Sequence, residues 1–343
     1  VTQTAYPLQT ARLLVRMLRE DDIDTLTDYR NDPVVNALQD WDLPYPRERV
    51  EKLVAAHAGR QDVTPGKGTQ LAIDLGGQLI GDIFVGLDEH NGVAEIGFTL
   101  AKGHQGKGYG VEAVSAVVDD LVDRVGVHRL VGELSPQNHA SARLLERLGM
   151  TFEHFAEKSF WWRGAWDDNV HYSMTADGRR DWRARPRGAP GQVRLVELTH
   201  ENFRDYRRLR THRSQERFVA TVEQSYADAL FPEPEQGYPV VPVLRGIECD
   251  GEPAGFLMYA DAVNEAAPEP YLWRFLIDRQ HQGRGIGARA LDVLVEDLRA
   301  AGHSAVRASW VQGPGGPEPF YVNAGFVLTG EIEDGEVVGR RSS

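Results

Sequence analysis

Two short segments hold the residues with the plainest chemistry. Gln105-Gly106-Lys107-Gly108-Tyr109-Gly110 and Gln282-Gly283-Arg284-Gly285-Ile286-Gly287 each set glycines at alternate positions. After each, apolar residues recur every three or four positions: Val111, Val114, Val118, Leu121 and Val125 in the first, Leu291, Leu294, Val295 and Leu298 in the second. A glycine turn feeding a helix leaves several backbone N–H groups uncompensated at the positive end, and without Cβ atoms the backbone lets a ligand come close. Such a turn suits an anion, and pyrophosphate is the usual biological one. Both segments also satisfy G-x-G-x-x-A through Ala113 and Ala290, so a nicotinamide or flavin oxidoreductase has to be weighed. Its context is poor. Polar Lys102–Gln105 and Asp278–Gln282 separate each loop from the strand before it, and the second copy has Arg307 where an acidic residue is required. Too little chain follows the second loop for a doubly wound domain, and Gly-Lys-Ser/Thr is missing.

The second loop repeats the first 177 residues later, and Phe98/Phe275, His104/His281, Ala113/Ala290 and Leu121/Leu298 keep the same offset. Gly77-x-x-x-Gly81 recurs as Gly251-x-x-x-Gly255, and Leu148-Gly149-Met150 as Ala324-Gly325-Phe326. A period this long makes each copy a domain rather than a solenoid repeat. The expected division is 1–175, a basic Gly/Pro/Arg linker at 176–192, and 193–343. The length of 343 residues agrees with two domains.

Composition narrows the partners. A net charge of −13 argues against nucleic acid and anionic membrane surfaces and favours cationic ligands. The single cysteine, Cys249, excludes an internal disulfide and a thiolate metal cage, and no metal is expected. No run approaches the ~18 apolar residues of a membrane span, and Val1–Thr10 does not read as a secretory leader, so the expected location is the cytoplasm.

Periodicity gives both copies one order of elements. In the first, a strand at Ala11–Met17 precedes helices near Asp22–Tyr29 and Arg47–His57, then strands at Gln70–Asp74, Leu79–Val85 and Ala94–Leu100. Beyond the loop helix come a strand at Leu130–Leu134, a helix at Ala140–Leu148, and strands at Thr151–Phe155 and Val170–Met174. In the second, Val193–Glu197 precedes helices near Glu201–Thr211 and Val222–Leu230, then strands at Pro242–Glu248, Pro253–Tyr259 and Tyr271–Ile277. Beyond the loop helix come Ala305–Val311, a short helix near Tyr321, and strands at Phe326–Glu331 and Glu336–Arg340. The class is α/β (α+β): in each domain a mixed, mainly antiparallel sheet flanked by helices.

With these elements around it, Gln-x-x-Gly-x-Gly resembles the acetyl-CoA loop of the GCN5-related N-acetyltransferase (GNAT) superfamily, twice over. The first copy, with Ala94-Glu95-Ile96-Gly97-Phe98, Asn138-His139-Ala140-Ser141 and Leu148-Gly149-Met150, is similar to the branch that acetylates ribosomal-protein N-termini. The second, with Tyr271–Asp278 and Thr329-Gly330-Glu331, is similar to bacterial spermine/spermidine acetyltransferases. The resemblance implies direct acetyl transfer from acetyl-CoA to a primary amine such as a polyamine or an aminoglycoside-like antibiotic. It implies that the strand before each loop splays from its neighbour, that Thr99-Leu100 and Leu276-Ile277 hold the pantetheine arm, and that Gln105–Gly110 and Gln282–Gly287 hold the pyrophosphate.

It also makes Tyr321, four residues before Gly325-Phe326, the acid for the leaving thiolate. Leu145 stands there in the first copy, where Ser141 or a water is the substitute. Asn138 matches the asparagine beside the pantetheine, and the second copy has Gly313–Pro317 in that region. Glu95 is the candidate base of the first domain, with Glu133 in reserve; Glu269 is a weaker candidate in the second. The aromatic run Phe160–Trp166 is expected to cover the core or a domain interface, with binding of a cationic amine as the alternative. The competing function is a non-catalytic acyl-CoA-binding or scaffold role for one or both domains. The expected partner is a small amine, and a monomer is plausible because the tandem repeat can mimic a dimer.

Overall fold

The computed structural model describes residues 6–232, 240–261 and 269–343. It divides into two units, 1–184 and 185–343. The sequence reading of the leader falls partly on residues outside those described. No helix among the described residues is long and apolar enough to cross a membrane.

The first unit opens with β1 (Leu8–Gln9), β2 (Leu14–Met17), α1 (Ile23–Arg30), α2 (Pro33–Asn36) and α3 (Arg47–His57). Next come β3 (Gly68–Leu75), β4 (Gln78–Leu87), β5 (Val93–Leu100) and α4 (Tyr109–Asp120), which ends in a π-turn at Leu121–Val125. It finishes with β6 (Arg129–Leu134), α5 (His139–Leu148), β7 (Thr151–Trp162), β8 (Ala165–Thr175) and α6 (Ala176–Ala184). The strands form one sheet in the order β1-β2-β3-β4-β5-β6-β8-β7, and only β5 and β6 are parallel. Gly76 and Gly77, with φ of 62° and 93°, make the tight β3–β4 turn that a two-residue hairpin demands. Both sheet faces are covered. Val114, Val117, Val118 and Leu121 of the α4 segment and Leu145 and Leu148 of α5 pack with Ile83, Val85, Ile96 and Leu130. Leu26, Tyr29, Val50 and Val54 pack on the other face with Ala72 and Leu79. Charge is buried there in paired groups, Arg16 with Asp22 and Asp74, Arg30 with Asp82 and Tyr45.

The stretch expected as a linker starts as helix α6. Trp182 is buried against Gly149, and Arg179 donates to the Leu148 carbonyl at 2.6 Å and to Asp119 at 2.8 Å. The irregular connection is confined to 185–192. The aromatic run also differs from expectation. It forms the outer end of the β7–β8 hairpin, where Trp161 and Trp166 are more than half exposed and pair edge to face, while Trp162 donates to the Gln39 carbonyl at 2.9 Å.

The second unit runs β9 (Val193–Glu197), α7 (Phe203–Tyr206), α8 (Val222–Leu230), β10 (Pro242–Cys249), β11 (Glu252–Ala260) and β12 (Tyr271–Ile277). It continues with α9 (Ile286–Ala300), β13 (Ala305–Trp310), α10 (Glu318–Asn323), β14 (Val327–Glu333) and β15 (Glu336–Ser342). Its sheet order is β14-β15-β13-β12-β11-β10-β9, again with a single parallel pair, β12–β13. The helix expected over Glu201–Thr211 is reduced to four residues, Phe203–Tyr206. Tyr206 is fully buried against Gly246, and the Arg210 N–H then turns to the Asp278 carboxylate at 2.8 Å.

Candidate active site

In each unit the parallel strands part. β5 and β6 pair only at Val93↔Arg129, Ala94↔Leu130 and Glu95↔Val131. β12 and β13 pair only at Tyr271↔Arg307 and Leu272↔Ala308. Thr99 and Leu100, and likewise Leu276 and Ile277, lie in the parted lengths. Their other edge is held by β4 and β11, at Thr99↔Asp82 and Leu276↔Phe256. The glycines of the upstream repeat permit that approach. A Cβ on Gly81 would sit 2.4 Å from the Thr99 carbonyl oxygen, and one on Gly255 would sit 2.6 Å from that of Leu276.

The loops follow directly. Gly106 and Gly108 have φ of 72° and 80°, Gly283 and Gly285 of 76° and 81°, a left-handed geometry that glycine adopts without strain. Apart from a guanidinium nitrogen of Arg12 at 3.4 Å from the Gly108 position, the space where their Cβ atoms would stand is empty. The N–H groups of 106–111 and 283–288 have no acceptor among the described residues. Unpaired N–H groups around an open hollow at a helix N-terminus fit a pyrophosphate. The remaining loop positions have structural duties. Gln105 and Gln282 donate their side-chain amides to the last strand carbonyls, Leu100 at 3.0 Å and Ile277 at 2.9 Å, which ties each loop to its strand. Gly110 packs against Leu144 and Leu100, Gly287 against Phe320 and Ile277. Lys107 donates to the Gly103 carbonyl and Arg284 to that of Gly188.

Each loop is also strapped from outside, by opposite chemistry. Arg12 pairs with Glu112 at 2.7 Å, donates to the Lys107 carbonyl at 3.1 Å and lies over the Tyr109 ring. At the position matching Glu112 the second unit has Arg289, which donates to the Pro190 carbonyl at 2.6 Å.

In the second unit the cleft opens into a cavity of about 1480 Å³ reaching from the loop to β13, α10 and the β14–β15 turn. Tyr321 stands in its wall. Its ring is stacked on Trp310 with centroids 4.7 Å apart and lies edge-on to Phe320 and Phe326. Its hydroxyl has no hydrogen-bond partner among the described residues. Burial, then Tyr271 and Glu336, push its pKa well up, so it stays protonated at neutral pH. Leu276, Ile277, Gln282, Gly283, Gly285, Ile286 and Gly287 line the same cavity. Glu269 is corrected as a free base: both its oxygens are taken by Arg340, Oε1 at 2.6 Å and Oε2 at 3.0 Å.

One group of residues was not legible in the sequence. The Tyr271 hydroxyl lies 2.7 Å from Ser309 Oγ, and Ser309 donates to Glu336 Oε2. Three strands contribute one residue each, so no local spacing announces it.

In the first unit Glu95 stands at the last paired position before the strands part. Its side chain is exposed, yet the desolvation it meets at the strand junction, then Glu133 and Asp40, raise its carboxyl above the usual range. Glu133 accepts from Asn169 at 3.0 Å and lies 3.3 Å from His171 Nδ1. Asn138 caps α5, its Oδ1 accepting from the Ser141 N–H at 3.1 Å. Leu145 is buried in the core against Gly132 and offers no proton.

Comparison with known proteins accords with this geometry. The family described as Acetyltransferase (GNAT) domain matches residues 12–151, and that described as Acetyltransferase (GNAT) family matches 196–326. An uncharacterized N-acetyltransferase p20 of Bacillus licheniformis is 28% identical over 154 residues, 43% of this chain and 83% of its own length. The probable N-acetyltransferase YjcK of Bacillus subtilis is 40% identical over 76 residues, 22% of this chain and 42% of its own. The ribosomal protein uS5-alanine N-acetyltransferase of Escherichia coli is 31% identical over 87 residues, 25% of this chain and 43% of its own, so the matches to these last two span under half of each. Among solved structures, a GNAT-family acetyltransferase from Bacillus anthracis aligns at 23% identity and TM-score 0.45 over 50% of this chain and 98% of that one. Spermidine N-acetyltransferase from Vibrio cholerae, in complex with CoA and spermine, aligns at 17% identity and TM-score 0.44 over 50% and 99%. With both of its domains matched, the chain belongs to the GNAT acetyltransferases and uses acetyl-CoA as acetyl donor.

Proposed function

We propose that the second unit acetylates a small primary amine, with Tyr321 as the acid for the leaving thiolate. Bound acetyl-CoA supplies the acetyl thioester. The N–H groups of 283–288 would hold its pyrophosphate, and the parted edge at Leu276-Ile277 its pantetheine arm. The observation that carries this reading is the Tyr321 hydroxyl, unpartnered, protonated and fixed by an aromatic cluster in the wall of the loop's own cavity. A proton donor placed at a leaving group contributes about 10²-fold or more to rate. The net charge of −13 favours a cationic acceptor, of which polyamines and aminoglycoside-like antibiotics are two classes. The first unit takes acetyl-CoA at 106–111, along Thr99-Leu100, with Glu95 as its base. A second reading, that this unit holds acyl-CoA without turnover, is favoured by Leu145, which puts no proton donor where Tyr321 stands in the second unit.

The test is thiol release from acetyl-CoA over an amine panel. Tyr321→Phe is expected to lower kcat by about 10²-fold with the KM for acetyl-CoA unchanged. Unchanged kcat would remove Tyr321 from the reaction. NAD should leave the melting temperature where it is, while acetyl-CoA raises it.

A further inference from the structure

An alkylammonium must lose a proton before its nitrogen can attack, and Glu95 of the first unit has only Leu272 as counterpart in the second. We propose that Glu336 takes this proton in the second unit, passed to it through Tyr271 and Ser309; the proposal rests on the reading of that unit as an amine acetyltransferase.

The direction of the relay follows from its hydrogens. Ser309 has a single hydroxyl proton and donates it to Glu336. Tyr271 must therefore donate to Ser309, across 2.7 Å. The Tyr271 oxygen keeps a lone pair for a proton arriving from the cavity, which Tyr271, Ser309 and Glu336 all line. When an ammonium hydrogen-bonds to that oxygen, three transfers run in line: from nitrogen to Tyr271, from Tyr271 to Ser309, from Ser309 to Glu336. Both hydroxyls end as they began, the ammonium has become a neutral amine and the Glu336 carboxylate a carboxylic acid. No other reactant is needed.

The other carboxylates of the cavity are otherwise engaged or unconnected. Glu269 is held by Arg340, Glu333 by Arg307, Glu216 by Arg213, and Asp261 by His303. Asp334, in the turn, makes no hydrogen bond to either hydroxyl. Glu336 has no cationic partner among the described residues. The charged and titratable groups around the relay are Glu333 and Asp334 on the hairpin, Arg307 from β13, Arg274 and Tyr271 from β12, and Tyr321 from α10. The starting position also suits the reaction. Tyr271 and Leu272, the first two residues of β12, are the ones paired to β13 before the strands part, so the relay begins where the cleft closes, near Tyr321.

The test uses the full-length protein with Glu95→Gln as background, so that turnover reports on the second unit. The acceptors are spermidine, benzylamine, glycinamide and trifluoroethylamine, a series of falling basicity, near neutral pH. In this background Glu336→Gln is expected to lower kcat/KM for spermidine by about 10²-fold and to leave trifluoroethylamine, already neutral, almost unaffected. Ser309→Ala should show the same dependence on basicity in weaker form, and raising the pH should restore activity to both variants. Tyr321→Phe should slow all four amines alike, because it acts on the thiol side. A loss in Glu336→Gln equal for all four amines, or no loss at all, would overturn the relay. Should Glu336→Gln prove misfolded by circular dichroism, the basicity trend in Ser309→Ala decides alone. If the background protein releases thiol with none of the amines, the transfer reading fails first and the relay with it.

Discussion

Glu95 shows how position alone can tune a carboxyl. It stands exposed where β5 leaves β6, with desolvation at that junction, Glu133 and Asp40 all disfavouring its charge. A folded-state pKa above the unfolded value means that the fold binds this proton more tightly than the unfolded chain does. Ionised Glu95 therefore subtracts from stability once the pH rises past its unfolded pKa, in full above the folded one. Glu95→Gln should raise the melting temperature of the first unit near neutral pH. That advantage should shrink as the pH falls through the folded pKa and vanish below the ordinary carboxylate range; calorimetry from about pH 8 to about pH 4 reads it. Any first-unit turnover should fall in the same variant. Residues of this kind differ in how legible they are. Glu95, Tyr321 and the loop glycines sit inside short motifs, so the sequence points to them. Tyr271, Ser309 and Glu336 come from three separate strands, and only the register of β12, β13 and β15 brings them together. The cap that Asn138 makes through Oδ1 is not announced by the sequence, because a capping asparagine and a ligand-facing one look the same there, and its side-chain NH2 remains for a ligand.

At the level of elements, the boundaries of α3, α8, β9 and β12 follow from apolar periodicity with flanking turn residues, and the observed spans agree. Helix α6 does not follow. Its buried face is made by Ala176, Arg179 and Trp182, and a buried arginine satisfied by Asp119, Ser115 and a carbonyl reads as polar when the chain is scanned for hydrophobicity. The helix nevertheless has a defined seat. Gly149 ends α5 with φ of 99°, and a Cβ there would lie 2.4 Å from the Trp182 ring. Gly149→Ala adds both backbone strain and a ring clash, and should destabilise the first unit by about 2 kcal/mol or more. Thermal melts check this. Measured within a Trp182→Ala background, which removes the clash, Gly149→Ala should cost only the part due to φ.

At the scale of the molecule, each unit has its own sheet and its own apolar clusters. Residues 1–184 and 185–343 expressed separately should each unfold cooperatively. Acetyl-CoA at about a hundred times Kd should stabilise each by about 2.7 kcal/mol. Titration of the full chain should approach two equivalents, and Gly285→Glu should remove one of them. A half that melts without cooperativity, or a single equivalent, would count against two working loops. The opposed straps have one more consequence, in ionic strength. The first loop is fastened partly by the half-exposed Arg12–Glu112 ion pair at 2.7 Å, the second by Arg289 on an uncharged carbonyl and by a looser pair, the buried side chain of Arg284 at 3.8 Å from Asp250. Dissolved salt screens the close, solvent-facing pair most, acts less on the longer pair of Arg284 and scarcely touches the carbonyl contact. Both loops lose some grip on a pyrophosphate as salt rises, but the first should lose more. The ratio of their two affinities then becomes a measure of the ionic medium around the protein, recorded by one chain with a reference loop of its own.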